Sequence, residues 1–133
     1  MMDFDLVISG GMLITASETF QADIGIRAGK IAAIGSDLTG KGIVDARGLL
    51  VLPGAIDPHV HLEMPTPAAT SSDDWFTGTR AAACGGTTTV IDFVEPEPNE
   101  SLLHALEARR ALAESKAVID FSFHMTLDRV DAQ

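Results

Sequence analysis

The chain has 133 residues, 46% of them hydrophobic and 21% charged, and its 9 Lys and Arg against 19 Asp and Glu give a formal charge of -10. That composition suits a globular protein rather than a disordered or collagenous one, and a single cysteine, Cys84, excludes both an internal disulfide and a cysteine-cluster metal site, in keeping with a reducing compartment. The acidity argues against a nucleic-acid partner, which needs clustered Lys and Arg. A membrane partner is not expected either, since no apolar run approaches the roughly 20 residues of a spanning helix. Asp3 and Asp5 stand where a secretory leader carries positive charge, so the expected location is the cytoplasm.

From the N-terminus to about Leu50, short apolar bursts are separated by glycine. Leu6-Val7-Ile8, Gly10-Gly11 and Met12-Leu13-Ile14 read as strand, turn, strand. Ile24 and Ile26, then Ile31 and Ile34, flank a hairpin turn at Gly29, and another strand is expected at Ile43-Val44. No 3.6-residue period occurs, so residues 1–50 are expected to form a small β unit.

Residues 51–133 have a different pattern. An apolar strand leads to Asp57-Pro58-His59-Val60-His61, and Pro65 to Ser71 has the chemistry of a loop. Ser71 or Ser72 is expected to cap a helix with Asp73 and Asp74 in its first turn and Gly85-Gly86 at its end. Thr87 to Phe93 is a β-branched strand expected to be buried on both faces. Asn99 is expected to cap a second helix with Leu102, Ala105, Leu106, Leu112 and Ala113 on its apolar stripe, and a third strand spans about Ala117 to His124. The fold class is therefore α/β, with parallel strands and crossover helices after the β unit.

The chemistry concentrates at His59 and His61. Side chains two apart in a strand share a face, so both imidazoles project together while Val60 packs away. Imidazole is a common zinc ligand, and ligands of α/β proteins gather at the carboxyl ends of strands. A metal-free structural role is equally compatible with a bare His-x-His. Asp57 has two readings, a further ligand or orienting carboxylate, or the start of a turn with Pro58, and Pro58 itself points to a bulge or strand end. His124 beside Phe121, Phe123 and Met125 reads as a packed side chain, Cys84 as a small packing residue, Asp92 as a structural hydrogen-bonder or a catalytic carboxylate, and His104 as solvated.

Lys30 to Gly35, Val44 to Gly48 and Pro53-Gly54-Ala55-Ile56-Asp57 followed by His59 and His61 resemble the N-terminus of the amidohydrolase superfamily. His61-Leu62-Glu63-Met64-Pro65, Thr70 to Trp75, Thr77 to Ala83 and Gly85 to Phe93 resemble its D-hydantoinase/dihydropyrimidinase branch. The resemblance implies a composite β-sandwich followed by a (β/α)8 TIM barrel, and a zinc-dependent hydrolase. Such an enzyme opens a hydantoin or dihydropyrimidine ring to an N-carbamoyl amino acid by attack of a metal-held hydroxide. It assigns His59 and His61 to one of two zinc ions, and Met64, Pro65 and Thr66 to a loop lining the substrate pocket. A carboxylated lysine, two more histidines and a catalytic aspartate match no position here. It also implies a small cyclic amide or ureide as the partner and a homo-oligomer, a tetramer in the family.

A dihydroorotase or allantoinase is an alternative, but the former carries Arg soon after the second histidine, where Glu63 would repel an anionic ring. A non-catalytic scaffold is another, against which the retention of both histidines argues. A (β/α)8 barrel takes about 250 residues, so the chain is expected to hold the front part of such an enzyme. By itself it is expected to bind zinc weakly, to turn over nothing, and to self-associate through the strand edge around Val118, Ile119 and Phe121.

Overall fold

A computed structural model describes residues 4–65 and 69–127. These residues fall into two compact units divided between Pro53 and Gly54. The expected division at residue 50 shifts because Leu50 and Val51 pair with the first strand of the chain.

The first unit is one mixed sheet of β1 (Phe4–Ile14), β2 (Thr19–Arg27), β3 (Lys30–Gly35), β4 (Gly40–Asp45) and β5 (Leu50–Val51). Its order is β3-β2-β1-β4, with β5 also on β1. β1, β2 and β3 pair antiparallel, and β4 and β5 lie parallel to β1. The hairpin at Ala28-Gly29 is as expected, but Gly10-Gly11 is not a turn. β1 runs straight through it, with a register shift between Ile8 and Gly11. Gly10 takes φ +71, where a side chain would be strained, and a Cβ there would also meet Arg47. The bulge divides the edge of β1, so that Phe4 to Ser9 pair with β4 and Met12 and Leu13 with β5.

Asp23 holds that bulge. Its buried carboxylate accepts from the Gly10 amide (2.7 Å), the Ser9 hydroxyl (3.1 Å) and the Leu38 amide (3.1 Å). These donors, led by Gly10, keep its pKa below the ordinary carboxylate value. Around it Phe4, Val7, Leu13, Ile24 and Ala46 are buried, whereas Ile31, Ile34, Ile43, Leu49, Leu50 and Leu52 are exposed.

The second unit runs β6 (Ala55–Val60), α1 (Trp75–Cys84), β7 (Thr87–Val94), α2 (Leu102–Glu114) and β8 (Asp120–Met125). The strands are parallel in the order β6-β7-β8, the expected βαβαβ arrangement. Helix α1 starts later than expected. Asp74 is itself the N-cap, accepting from the Thr77 amide (2.7 Å) while the Asp74 amide donates to the Thr77 hydroxyl (3.1 Å). Ser71 instead joins the loop, where its hydroxyl accepts from the Met64 amide (2.7 Å) and its amide donates to the Met64 carbonyl (2.9 Å). The N-cap position of helix α2 falls on Ser101, which makes no side-chain capping bond, rather than on Asn99, which takes φ +69 in the preceding turn.

Leu62, Trp75, Val90 and Ala113 form the core of this unit, with Phe121 and Phe123 edge-on to Trp75 at 5.5 and 5.9 Å. Thr79, fully buried in α1, donates to the Trp75 carbonyl and accepts from the Val118 amide, tying the helix to the approach to β8. Along β7 only Val90, Asp92 and Val94 are fully buried, so burial is one-sided rather than two-sided. Cys84 is exposed at the end of α1 and does not pack as expected. Among the described residues no helix is long and apolar enough to cross a membrane.

Candidate metal-binding face

Parallel register and the two-residue period decide what shares a face with His59. Val60 is level with Asp92, and Asp92 with Phe123, on the side covered by the helices. Phe93 is level with His124, so the opposite face carries His59, Phe93 and His124 on neighbouring strands. His61 follows directly on β6 and turns back to the same place. Its ring stacks on Phe93 at 5.0 Å with the planes inclined by 27°, while the His59 ring tilts against Phe93 at 4.5 Å.

The two imidazoles meet edge to face with their Nε2 atoms 3.2 Å apart. Two nitrogens bound at 2.0–2.1 Å to one tetrahedral zinc are separated by about 3.3 Å. The pair therefore has the spacing that a shared metal requires. Among the described residues no third His, Cys, Asp or Glu joins it to complete a cluster.

Asp57 resolves between its two readings. Its carboxylate accepts from the His59 amide at 3.2 Å, across the register shift between Asp57 and Val60. The bulge expected at Pro58 is present, and Asp57 serves its backbone. His124, read from the sequence as a packed side chain, is exposed on this face, with its Nε2 3.0 Å from the Pro58 carbonyl. It was missed because apolar neighbours in sequence say nothing about the alternate face of a strand; its parity with Phe93 was the available signal. His104 lies on the surface of α2, paired with Glu100 at 2.7 Å, as expected of a solvated side chain.

Of the predicted substrate loop, Met64 is buried and Pro65 exposed, and Thr66 lies outside the described residues. Met64 and Pro65 line a cavity of about 210 Å³ with Phe93, Glu95, Pro96, Glu97 and Arg109. Phe93 thus touches both imidazoles and the cavity. Glu63 does not face this space as a free charge. Its carboxylate binds Lys116 Nζ at 2.6 and 2.8 Å and accepts from the Trp75 amide at 3.4 Å, so the repulsion expected of it against an anionic ring is withdrawn.

Asp92 is fully buried and ion-paired with Arg109, which also donates to the carbonyls of Leu62 and Glu63. Of its two readings the structure favours the structural one, since the Asp92 carboxylate is closed off from solvent on Arg109. Its partner was not legible, because nothing in spacing marks a helix arginine as the mate of a strand aspartate 17 residues away.

Comparison with known proteins gives the family of the chain. The chain is 44% identical over 126 residues to a D-hydantoinase of Geobacillus stearothermophilus, covering 93% of this chain and 27% of that protein. It is 41% identical over 134 residues to a D-hydantoinase of Streptomyces coelicolor, covering 96% and 29%. The crystal structure of dihydropyrimidinase from Brevibacillus agri superposes with a TM-score of 0.90 at 46% identity, covering 94% of this chain and 28% of that one. The chain thus spans between a quarter and a third of the length of these relatives. The amidohydrolase family model matches residues 50–130, more than half of the sequence and all of the histidine-bearing segment, and the chain belongs to the amidohydrolase family.

Proposed function

We propose that this chain supplies one end of the active site of a zinc-dependent cyclic amidohydrolase that opens hydantoin or dihydropyrimidine rings to N-carbamoyl amino acids. The observation that carries the reading is the 3.2 Å approach of His59 and His61 at the carboxyl end of β6. The 44% identity to a D-hydantoinase over most of the chain supports the substrate class.

His59 and His61 would hold the metal through their Nε2 atoms. When bound, zinc supplies a nucleophile from water near neutral pH and polarises the ring carbonyl. The chain's own part is positional. Asp57 fixes the His59 backbone, and Phe93 seats both rings. Met64, Pro65 and Phe93 give the adjoining cavity an apolar side for a ring substituent, and Glu95, Glu97 and Arg109 give it a charged, hydrogen-bonding side for the ring amides. Thr66 belongs to the same proposed loop. With Glu63 paired to Lys116 its charge no longer separates a neutral from an anionic ring, and the hydantoinase reading is supported over the dihydroorotase one by the 44% identity to a D-hydantoinase.

The single cysteine supports a cytoplasmic location. Exposed Val118 near the β8 edge and exposed Ile31, Ile34 and Ile43 in the first unit support homo-oligomer formation. Two imidazoles alone make a weak site, so the isolated chain is expected to bind zinc weakly and to leave hydantoin and dihydrouracil intact.

The test is a chimera in which these residues replace the aligned part of the Geobacillus D-hydantoinase. It should open hydantoin and lose that activity on His59→Ala with His61→Ala. Unchanged turnover in the double variant would refute the metal assignment.

A further inference from the structure

The chain directly after His61 is held from three sides. Glu63 takes φ +51, a conformation that costs a non-glycine residue of order 1 kcal/mol and persists only where its surroundings impose it. The Glu63 amide donates to the Asp73 carbonyl at 2.7 Å. The Glu63 carboxylate is gripped by Lys116. The Leu62 and Glu63 carbonyls both accept from Arg109, whose guanidinium is anchored on buried Asp92 and lies over the Trp75 ring at 5.4 Å. Leu62 itself sits against Gly78 of α1, where a Cβ would approach its Cδ2 to 2.4 Å.

We propose that Arg109, anchored by Asp92 and assisted by Lys116, is a positioning residue for the metal pair: it fixes the Leu62-Glu63 turn and through it the orientation of the His61 ring. This rests on the reading of His59 and His61 as metal ligands. The physical reason is the geometry of the guanidinium. One planar group bonds a carboxylate on β7 and two backbone carbonyls after β6 together, which an ammonium on a flexible stem cannot do. The anchor comes from the strand that also carries Phe93, the ring on which both imidazoles rest, so the seat and the turn are referred to one element.

The experiment uses the full chain, with zinc alone as the probe. Zinc affinity is measured by calorimetry, and the imidazole nitrogen resonances of His59 and His61 are recorded without metal. The variants are Arg109→Lys, which keeps the charge, Lys116→Met, which frees Glu63, and Val94→Ala, a packing control that thins the β7 core beside Arg109 while keeping its charged partners. Arg109→Lys is expected to weaken zinc binding by about tenfold, the low end of what groups supporting metal ligands contribute, and to shift the His61 resonances. Lys116→Met should act in the same direction and less, and Val94→Ala should leave both readouts unchanged.

Zinc binding and resonances unchanged in Arg109→Lys, or an equal loss in Val94→Ala, would overturn the proposal. If His59→Ala with His61→Ala leaves zinc affinity as it was, the metal reading fails. The resonances then decide the positioning role: a His61 shift confined to Arg109→Lys and Lys116→Met supports it, and no shift overturns it.

Discussion

In the first unit the buried carboxylate is Asp23, satisfied by two amides and a hydroxyl; in the second it is Asp92, whose Oδ2 takes a guanidinium from a different element while its Oδ1 has no hydrogen-bond partner. Neutral donors are local and directional, so Asp23 stabilises only the backbone it touches, the bulge of β1 and the segment at Leu38. A guanidinium has donors to spare, so the group that neutralises Asp92 reaches on to Leu62 and Glu63. The difference teaches that a buried acid can serve a single backbone irregularity, or act as the footing from which a cation organises chain some distance away.

The comparison breaks most visibly at Asp92. Asp92→Ala leaves Arg109 buried without its counter-charge, and loss of one partner of such a pair costs about 3–5 kcal/mol. Urea unfolding followed by the fluorescence of Trp75, which lies in the second unit, should show that loss, and an unshifted midpoint would mean that solvent already screens the pair. Asp23→Ala should cost less, about 1–3 kcal/mol for the buried donors left unpaired. Amide exchange at Gly10 and Leu38 should quicken while Trp75 unfolding stays in place.

Acid sharpens the contrast. Asp23 has a folded pKa below its unfolded value of about 3.9. Its stabilisation is therefore complete above that value and lost as pH falls through the lower folded pKa. Asp23→Asn should flatten the fall in stability of the first unit below about pH 4, as read by amide exchange in β1. The smallest effect is expected from Asp74→Ala. Removing an exposed cap should fray the first turn of α1 and lower the Trp75 midpoint by much less than Asp92→Ala.

Where residues act on near neighbours, the sequence was legible. The β2–β3 hairpin, the βαβαβ order, the bulge at Pro58 and the convergence of His59 and His61 all follow from period, turn chemistry and the missing amide of proline. Where two interpretations share one local signal, it was not. Gly10-Gly11 reads as a turn, and only the distant Asp23 makes it a bulge within a continuous strand. Ser71, Ser72, Asp73 and Asp74 are all competent caps, and the choice fell to Asp74 because Thr77 could reciprocate and Ser71 was engaged with Met64. Glu63 looked like a charge in the pocket because its neighbour His61 is there. Lys116, 53 residues on, turns it away.

Helix α1 begins at the chain's one tryptophan and ends at its one cysteine. At a rise of about 1.5 Å per residue the two lie roughly 14 Å apart along the axis, and the thiol is exposed for labelling while the indole is buried. An acceptor dye on Cys84 therefore makes α1 a donor–acceptor ruler that needs no engineering. Energy transfer along it would time the formation of that one helix during refolding, apart from the strands on which it packs.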